Sequence, residues 1–143
     1  MKKHIAVVMG GTTSEHAISI KSGQVVIDNI PHDIFDVKPV VIAAEKWTVN
    51  HEGNTLVLNQ TDFSYQFEGK KYVFDAVFIA LHGAPGENGV LQKILDSAKE
   101  PYTGCAAAVS KLTYNKHKTL EKLRPHGIAM AKNTIINSNS DWD

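Results

Sequence analysis

The sequence predicts a doubly wound, mostly parallel α/β sheet with an inserted β-hairpin region, and three observations lead there. The runs Ile5-Ala6-Val7-Val8 and Ala76-Val77-Phe78-Ile79-Ala80-Leu81 are continuously apolar rather than alternating, as strands covered on both faces are. Each run is followed by glycines and then by a helical pattern. Between them, residues 45 to 74 alternate polar and apolar positions around Glu52-Gly53-Asn54 and Glu68-Gly69-Lys70, which are hairpin signals.

In chain order, the first strand ends at Gly10-Gly11, and Thr12-Thr13-Ser14-Glu15 marks a helix start. That helix should reach about Asn29 and stop before Pro31, burying Ala17, Ile20, Ile27 and Ile30, with Val25 and Val26 flanking. Phe35 to Ala43 is a second strand, which Pro39 places nearer the sheet edge. The 45–74 stretch is expected as a surface ribbon, structural rather than chemical. Ala76 to Leu81 reads as the most buried strand, and the next helix carries Val90, Leu91, Ile94, Leu95 and Ala98 at core spacing before Pro101. Tyr102-Thr103-Gly104 is a short strand or turn. Residues 105–109 and 111–123 suggest two further helices stopping at Pro125 or Gly127, Thr134-Ile135-Ile136 a last strand, and residues 137–143 a polar linker.

With 143 residues, 43% hydrophobic and 21% charged, the chain can bury one core without staples, and a single Cys cannot form an internal disulfide. Fifteen Lys plus Arg balance fifteen Asp plus Glu, which argues against nucleic-acid and anionic-membrane partners. The run Ile5 to Met9 is too short for a signal-peptide core, and nothing approaches the ~20 apolar residues of a membrane span. A cytoplasmic location, where a lone thiol stays reduced, is expected.

In a doubly wound sheet, ligands sit outside the C-terminal strand ends, where the strand order switches. Two loops occupy that edge. In Gly10 to His16, two glycines let the backbone approach a ligand, and the helix start offers free amides. The loop lacks the Gly-Lys-Ser/Thr ending of a P-loop and the G-x-G-x-x-G spacing of dinucleotide sites, and Glu15 would repel phosphate but attract ammonium. Spacing alone leaves two readings open: a Thr12/Glu15 capping box, or a cation-binding carboxylate. In the second loop, His82 directly follows the buried run, and Gly83, Gly86 and Gly89 surround Pro85. An imidazole there can donate to a carboxylate or shuttle a proton near neutral pH. The bland alternative is that His82 caps the sheet edge and Asn88 the next helix. Function is favoured, since loops held by rigid scaffolds carry chemistry.

Elsewhere the signals are structural. The seven His show no metal-ligand spacing, Cys105 has no charged neighbour, and no G-x-S-x-G elbow is present. Lys111, Lys116, Lys118 and Lys122, on one predicted helix, read as a solvated face from which one could reach a phosphate.

Taken together, VVMGGTTSEHAISIKSG and ALHGAPGENGVLQ resemble the two N-terminal signatures of the D-alanine:D-alanine ligases of the ATP-grasp superfamily, and PYTGCAAAVSKLTYNK resembles a third segment of that family. The likeness covers nearly the whole chain except residues 45 to 74. It implies a Rossmann-like pre-ATP-grasp domain, and an enzyme that joins two D-alanines for peptidoglycan through an acyl phosphate. Carried over, Glu15 would hold the ammonium of the first D-alanine and His82 would lie near its carboxylate and the reacting centre. Gly10, Gly11, Ser14, Gly83, Gly86 and Gly89 would shape the backbone around substrate, Glu87 would support its loop, and Lys116 would face the nucleotide's phosphates.

The resemblance further implies ATP and Mg2+ (or Mn2+) held mainly by domains beyond this chain, no metal ligand within it, and a homodimer. Residues 1–125 would be the substrate-binding domain, with 45–74 inserted, and residues 126–143 would begin or lead to a central domain. The chain, inactive alone, would thus be the N-terminal part of a ligase. It departs from the family pattern at Lys93, where a small residue is usual, and at Ala84-Pro85 and Asn88. Rival readings are a self-standing Rossmann-like module binding a small ligand, and the equivalent domain of another ATP-grasp ligase.

Overall fold

The structure, a computed structural model, describes residues 2–136; the predicted linker at residues 137–143 lies outside them. The elements are β1 (Lys3–Gly10), α1 (His16–Asn29), β2 (Phe35–Ile42), β3 (Trp47–His51), β4 (Asn54–Val57), β5 (Tyr65–Phe67), β6 (Lys70–Tyr72), β7 (Ala76–Ile79), α2 (Val90–Ala98), α3 (Ala107–Tyr114) and α4 (Lys116–Leu123). The main sheet runs β4-β3-β2-β1-β7. β1 is parallel to both β2 and β7, and the β3–β4 hairpin extends the sheet antiparallel to β2.

Burial corrects two expectations. The most buried strand is β1, covered from Ile5 to Gly10, whereas β7 lies at the sheet edge with Phe78 36% exposed. Beyond β7, among the described residues, the ladder continues only as an isolated parallel bridge from Val77 to Tyr102, so Tyr102 to Gly104 is a turn with one bridge. β2 is interior, not near the edge. Pro39 fits because β2 pairs with β3 only from Val40 to Ile42. The Ala43 amide donates toward β3, to Lys46 O, so the nitrogen of Pro39, four residues back, faces the same side where pairing has ended.

The two sheet faces are covered differently. On one, α1 lies against β1 through Gly23, where an added Cβ would sit 2.7 Å from Met9 Cβ. The fully buried residues of α1 are thus Ser19 and Gly23, while Ala17 is exposed and Ile20, Ile27 and Ile30 are half-buried, contrary to the apolar face expected. On the other face, Ala6, Val8, Val40 and Ile42 pack with Leu91 and Leu95 of α2 and with Trp47, Phe63, Tyr65 and Phe74. The 45–74 region is therefore not a surface ribbon. Its alternating pattern leaves one apolar side, and the bare face of the sheet is what covers it. Both hairpins turn through consecutive residues with positive φ, Glu52-Gly53 (51° and 80°) and Glu68-Gly69 (49° and 75°), the backbone that matches strand twist in two-residue turns.

Under this insertion lies a polar chain. His51 Nδ1 is 2.6 Å from the Tyr65 hydroxyl, which is 3.1 Å from His4 Nε2, and His4 Nδ1 meets Val73 O at 2.6 Å. The Val73 carbonyl can only accept, so His4 carries its proton on Nδ1; Tyr65 donates to His4 and accepts from His51. Burial and the nearby Lys38 ammonium push the His51 imidazole below its ordinary pKa. On Asp36, burial works upward, but Lys38, at 2.8 Å, more than offsets it and holds the carboxyl below the usual range.

At the C-terminal end the predicted helices break elsewhere than expected. Asn115, not residue 110, separates α3 from α4, and its side chain accepts from Lys118 N at 3.0 Å as an N-cap. The four lysines therefore lie on two helices, Lys111 on α3 and Lys116, Lys118 and Lys122 on α4. Thr134 to Ile136 form no strand.

Candidate functional site

β2 and β7 flank β1 on opposite sides, so the chain leaves the end of β1 toward one side and returns on the other. That is the strand-order switch, and the loops after β1 and β7 meet there. Gly10 and Gly11, at φ of 94° and 106°, turn the chain; an added Cβ on Gly10 would lie 2.5 Å from Ile42 O, and one on Gly11 3.1 Å from Ala84 O. Hydrogen bonds then stitch the loops together. The Thr12 amide donates to Ala84 O at 3.0 Å, and its hydroxyl to the same oxygen at 3.3 Å. Buried Ser19 accepts from Gly10 N at 2.9 Å and donates to Ala80 O at 3.0 Å, joining the ends of β1 and β7.

Glu15 occupies the N-cap of α1, but its side chain makes no capping hydrogen bond, and Thr12 uses its hydroxyl on Ala84. The capping box is not formed. Among the described residues the Glu15 carboxylate has no ion-pair or hydrogen-bond partner, and it is exposed at the positive end of the helix dipole. It lies against the second loop: a Cβ added to Gly83 would sit 3.0 Å from Glu15 Oε2 and 2.7 Å from Thr13 Oγ1. His82 immediately precedes that glycine. It is half-buried, and its Nε2 is 2.9 Å from Ser22 Oγ on α1.

The second loop is held from within. Gly83 O accepts from Glu87 N at 2.8 Å, Pro85 O from Leu91 N at 3.0 Å, and Gly86 O from the Gln92 amide. Asn88 accepts from Val90 N at 3.1 Å, two residues on, while Gly89, not Asn88, is the N-cap of α2. Gly89 allows α2 to start against α3, since a Cβ there would lie 2.4 Å from Ala107 O. Glu87 lines a cavity of about 350 Å³ with Leu81, Gly86, Gln92 and Ser110, on which neither Glu15 nor His82 borders.

Glu15, Gly83 and His82 are thus brought to one edge, with Gly10 and Gly11 beneath. Ser14 is exposed beside them. Lys116 is not tied to them: it is exposed at the start of α4, and among the described residues no hydrogen bond links it to either loop. Sequence reasoning missed Ser19 and Ser22. Their signal was the serine spacing i, i+3 beside Gly23, which puts hydroxyls on the face that the glycine presses to the sheet. Among the described residues no three His, Cys, Asp or Glu side chains group to hold a metal ion, and no helix is long and apolar enough to cross a membrane.

A mixed α/β sheet, parallel at β2-β1-β7, with two backbone-rich loops stitched together at its switch point belongs to the doubly wound class. Residues 4–105 match the family model described as D-ala D-ala ligase N-terminus, and the chain belongs to that family. It is 39% identical to a D-alanine–D-alanine ligase of Christiangramia forsetii over 99% of this chain and 44% of that protein. The structure matches the Aeromonas hydrophila D-alanine–D-alanine ligase with a TM-score of 0.82 and 30% identity, covering 98% of this chain and 52% of that one. It also matches the Bacillus anthracis ligase complexed with ATP, with a TM-score of 0.71 and 25% identity, over 99% of this chain and 42% of that one. The chain spans less than half the length of the curated relative.

Proposed function

We propose that this chain is the N-terminal, substrate-positioning part of an ATP-dependent ligase that joins two D-alanines for peptidoglycan. The observation that carries this is the unpartnered Glu15 carboxylate against Gly83, one residue from His82, at the sheet's switch point. A carboxylate left free by its own helix suits an ammonium, and an imidazole on the adjoining loop suits the carboxylate of the same amino acid. Glu15 holds the ammonium of the first D-alanine. His82 donates to the carboxylate that becomes activated, and Gly10, Gly11, Gly83 and Gly86 keep the backbone close enough to exclude water. Glu87 braces the loop through its amide, and Ser14 borders the ammonium site.

ATP supplies the phosphoryl group in the family reading, with Lys116 facing its phosphates. Mg2+ or Mn2+ would be held with the ATP mainly by other domains of the ligase. Residues 1–125 form the substrate domain, with 126–143 leading to a central domain. The native protein is a cytoplasmic homodimer, a reading supported by the exposed Val90 and Val109 on neighbouring helices and by the free thiol of Cys105.

The test is phosphate release with ATP, Mg2+ and D-alanine on the native polypeptide that carries this sequence. Glu15→Gln and His82→Ala should each lower turnover at least about tenfold, equivalent to ~1.4 kcal/mol of transition-state stabilisation. Unchanged rates in both would overturn the assignment. Binding of D-alanine by the wild type with no turnover at all would favour the self-standing module.

A further inference from the structure

We infer that Ser22 is a positioning residue for His82, fixing its ring orientation and keeping its proton on Nδ1. The inference deepens the proposed function, since His82 matters to a ligase only if that reading holds, but its geometry does not depend on it.

Ser22 lies on α1, three residues after Ser19 and directly before Gly23. Gly23 has no side chain to hold α1 away from Met9, and Ser19 ties the same helix face to Gly10 and Ala80. The distance from this face to the end of β7 is thereby set on both sides of Ser22. Its hydroxyl reaches His82 Nε2 at 2.9 Å. A helical serine commonly donates to the carbonyl four residues back, as Ser97 does to Lys93 O at 2.9 Å. Among the described residues Ser22 makes no such bond, and Nε2 is its hydrogen-bond partner. With Ser22 as the donor, which is the assignment we infer, Nε2 carries the lone pair and Nδ1 carries the proton. Nδ1 has no hydrogen-bond partner among the described residues. The neutral ring thus offers an N–H donor on its free side. Through that N–H it can hold a carboxylate oxygen.

The test uses the native polypeptide with 15N-labelled histidine, and the variants Ser22→Ala, Ser22→Thr and Ser22→Val. Thr and Val have the same shape and differ in the hydroxyl, so a folding defect from bulk would affect both. Nitrogen NMR of His82 should show a protonated Nδ1 and an unprotonated Nε2 in the wild type and in Ser22→Thr. In Ser22→Ala and Ser22→Val the ring should shift toward the Nε2–H form. In steady-state assays the hydroxyl-lacking variants should lose about three- to tenfold in kcat/KM, with Ser22→Thr restored and the pH profile altered in the Ala and Val forms. A His82 tautomer that is Nε2–H in the wild type, or the same in Thr and Val, overturns the inference whatever the enzyme does. A wild type with the expected tautomer but no ligase turnover leaves it standing and sinks the functional reading instead.

Discussion

Gly23→Ala sets two rules against each other. Taken as a helix residue, glycine is worse than alanine by roughly 0.8–1.0 kcal/mol, so the substitution would stabilise the chain. The structure places a new Cβ 2.7 Å from both Cβ and Cε of Met9 and 2.9 Å from its sulfur. The thioether end can rotate away, but Met9 Cβ is fixed to a central strand buried on both faces. Relief must then come from α1 moving off β1, and overpacking of this kind costs about 1–3 kcal/mol. The packing loss outweighs the propensity gain, leaving a net destabilisation of about 1 kcal/mol. For a chain of this size that lowers the melting temperature by roughly 3–5 °C. Thermal unfolding followed by far-UV circular dichroism reads it directly, with urea unfolding as a check that the slope is unchanged. A variant as stable as the wild type, or more so, would refute the view that this glycine exists for helix–strand contact. Because the displaced face carries Ser19 and Ser22, the same variant should, on the proposed function, also weaken D-alanine-dependent turnover of the native polypeptide more than its stability loss accounts for.

Two further predictions concern the insertion. His51 stays neutral in the folded chain at pH values where its unfolded form is protonated, so folding stability should be complete above pH ~6.5 and fall as the pH drops through its lowered folded value; His51→Gln should flatten that limb of a urea-unfolding pH series. Tyr65→Phe removes the hydroxyl between two rings, leaving His51 Nδ1–H and His4 Nε2 without their partner, and should cost about 1–3 kcal/mol in the same assay. A loss below about 0.5 kcal/mol would show that the chain of hydrogen bonds is not what holds the insertion down.

How much was legible depended on the range of the physics involved. The turns at Glu52-Gly53 and Glu68-Gly69, the end of α1 before Pro31 and the strand at the N-terminus follow from dihedral preferences and local pattern, and each can be read from a few neighbouring residues. The two glycine-rich loops could be assigned to one sheet edge for a similar reason, since βα turns of a parallel sheet share an end. Misplaced features all required a partner to be known. Pro39 suggested an edge, but which side of β2 it faces and where β3 stops pairing are facts of register. Ala76 to Leu81 is apolar enough for a central strand yet lies outermost, because composition reports how much burial a segment can use and not which neighbour provides it. The insertion looked like a surface ribbon because its apolar side has no visible owner in the sequence.

At the candidate site the division is the same. The residue types of Glu15 and His82, and their placement after strands, are properties of the chain, and charge and hydrogen-bonding chemistry follow from them. That Glu15 is released from capping its own helix, that it lies on Gly83, and that Ser22 meets His82 were decided only when α1 settled on β1. Local propensity acts over three or four residues, whereas the contacts that orient a side chain join positions 60 or more apart, and nothing but the packed sheet brings those together.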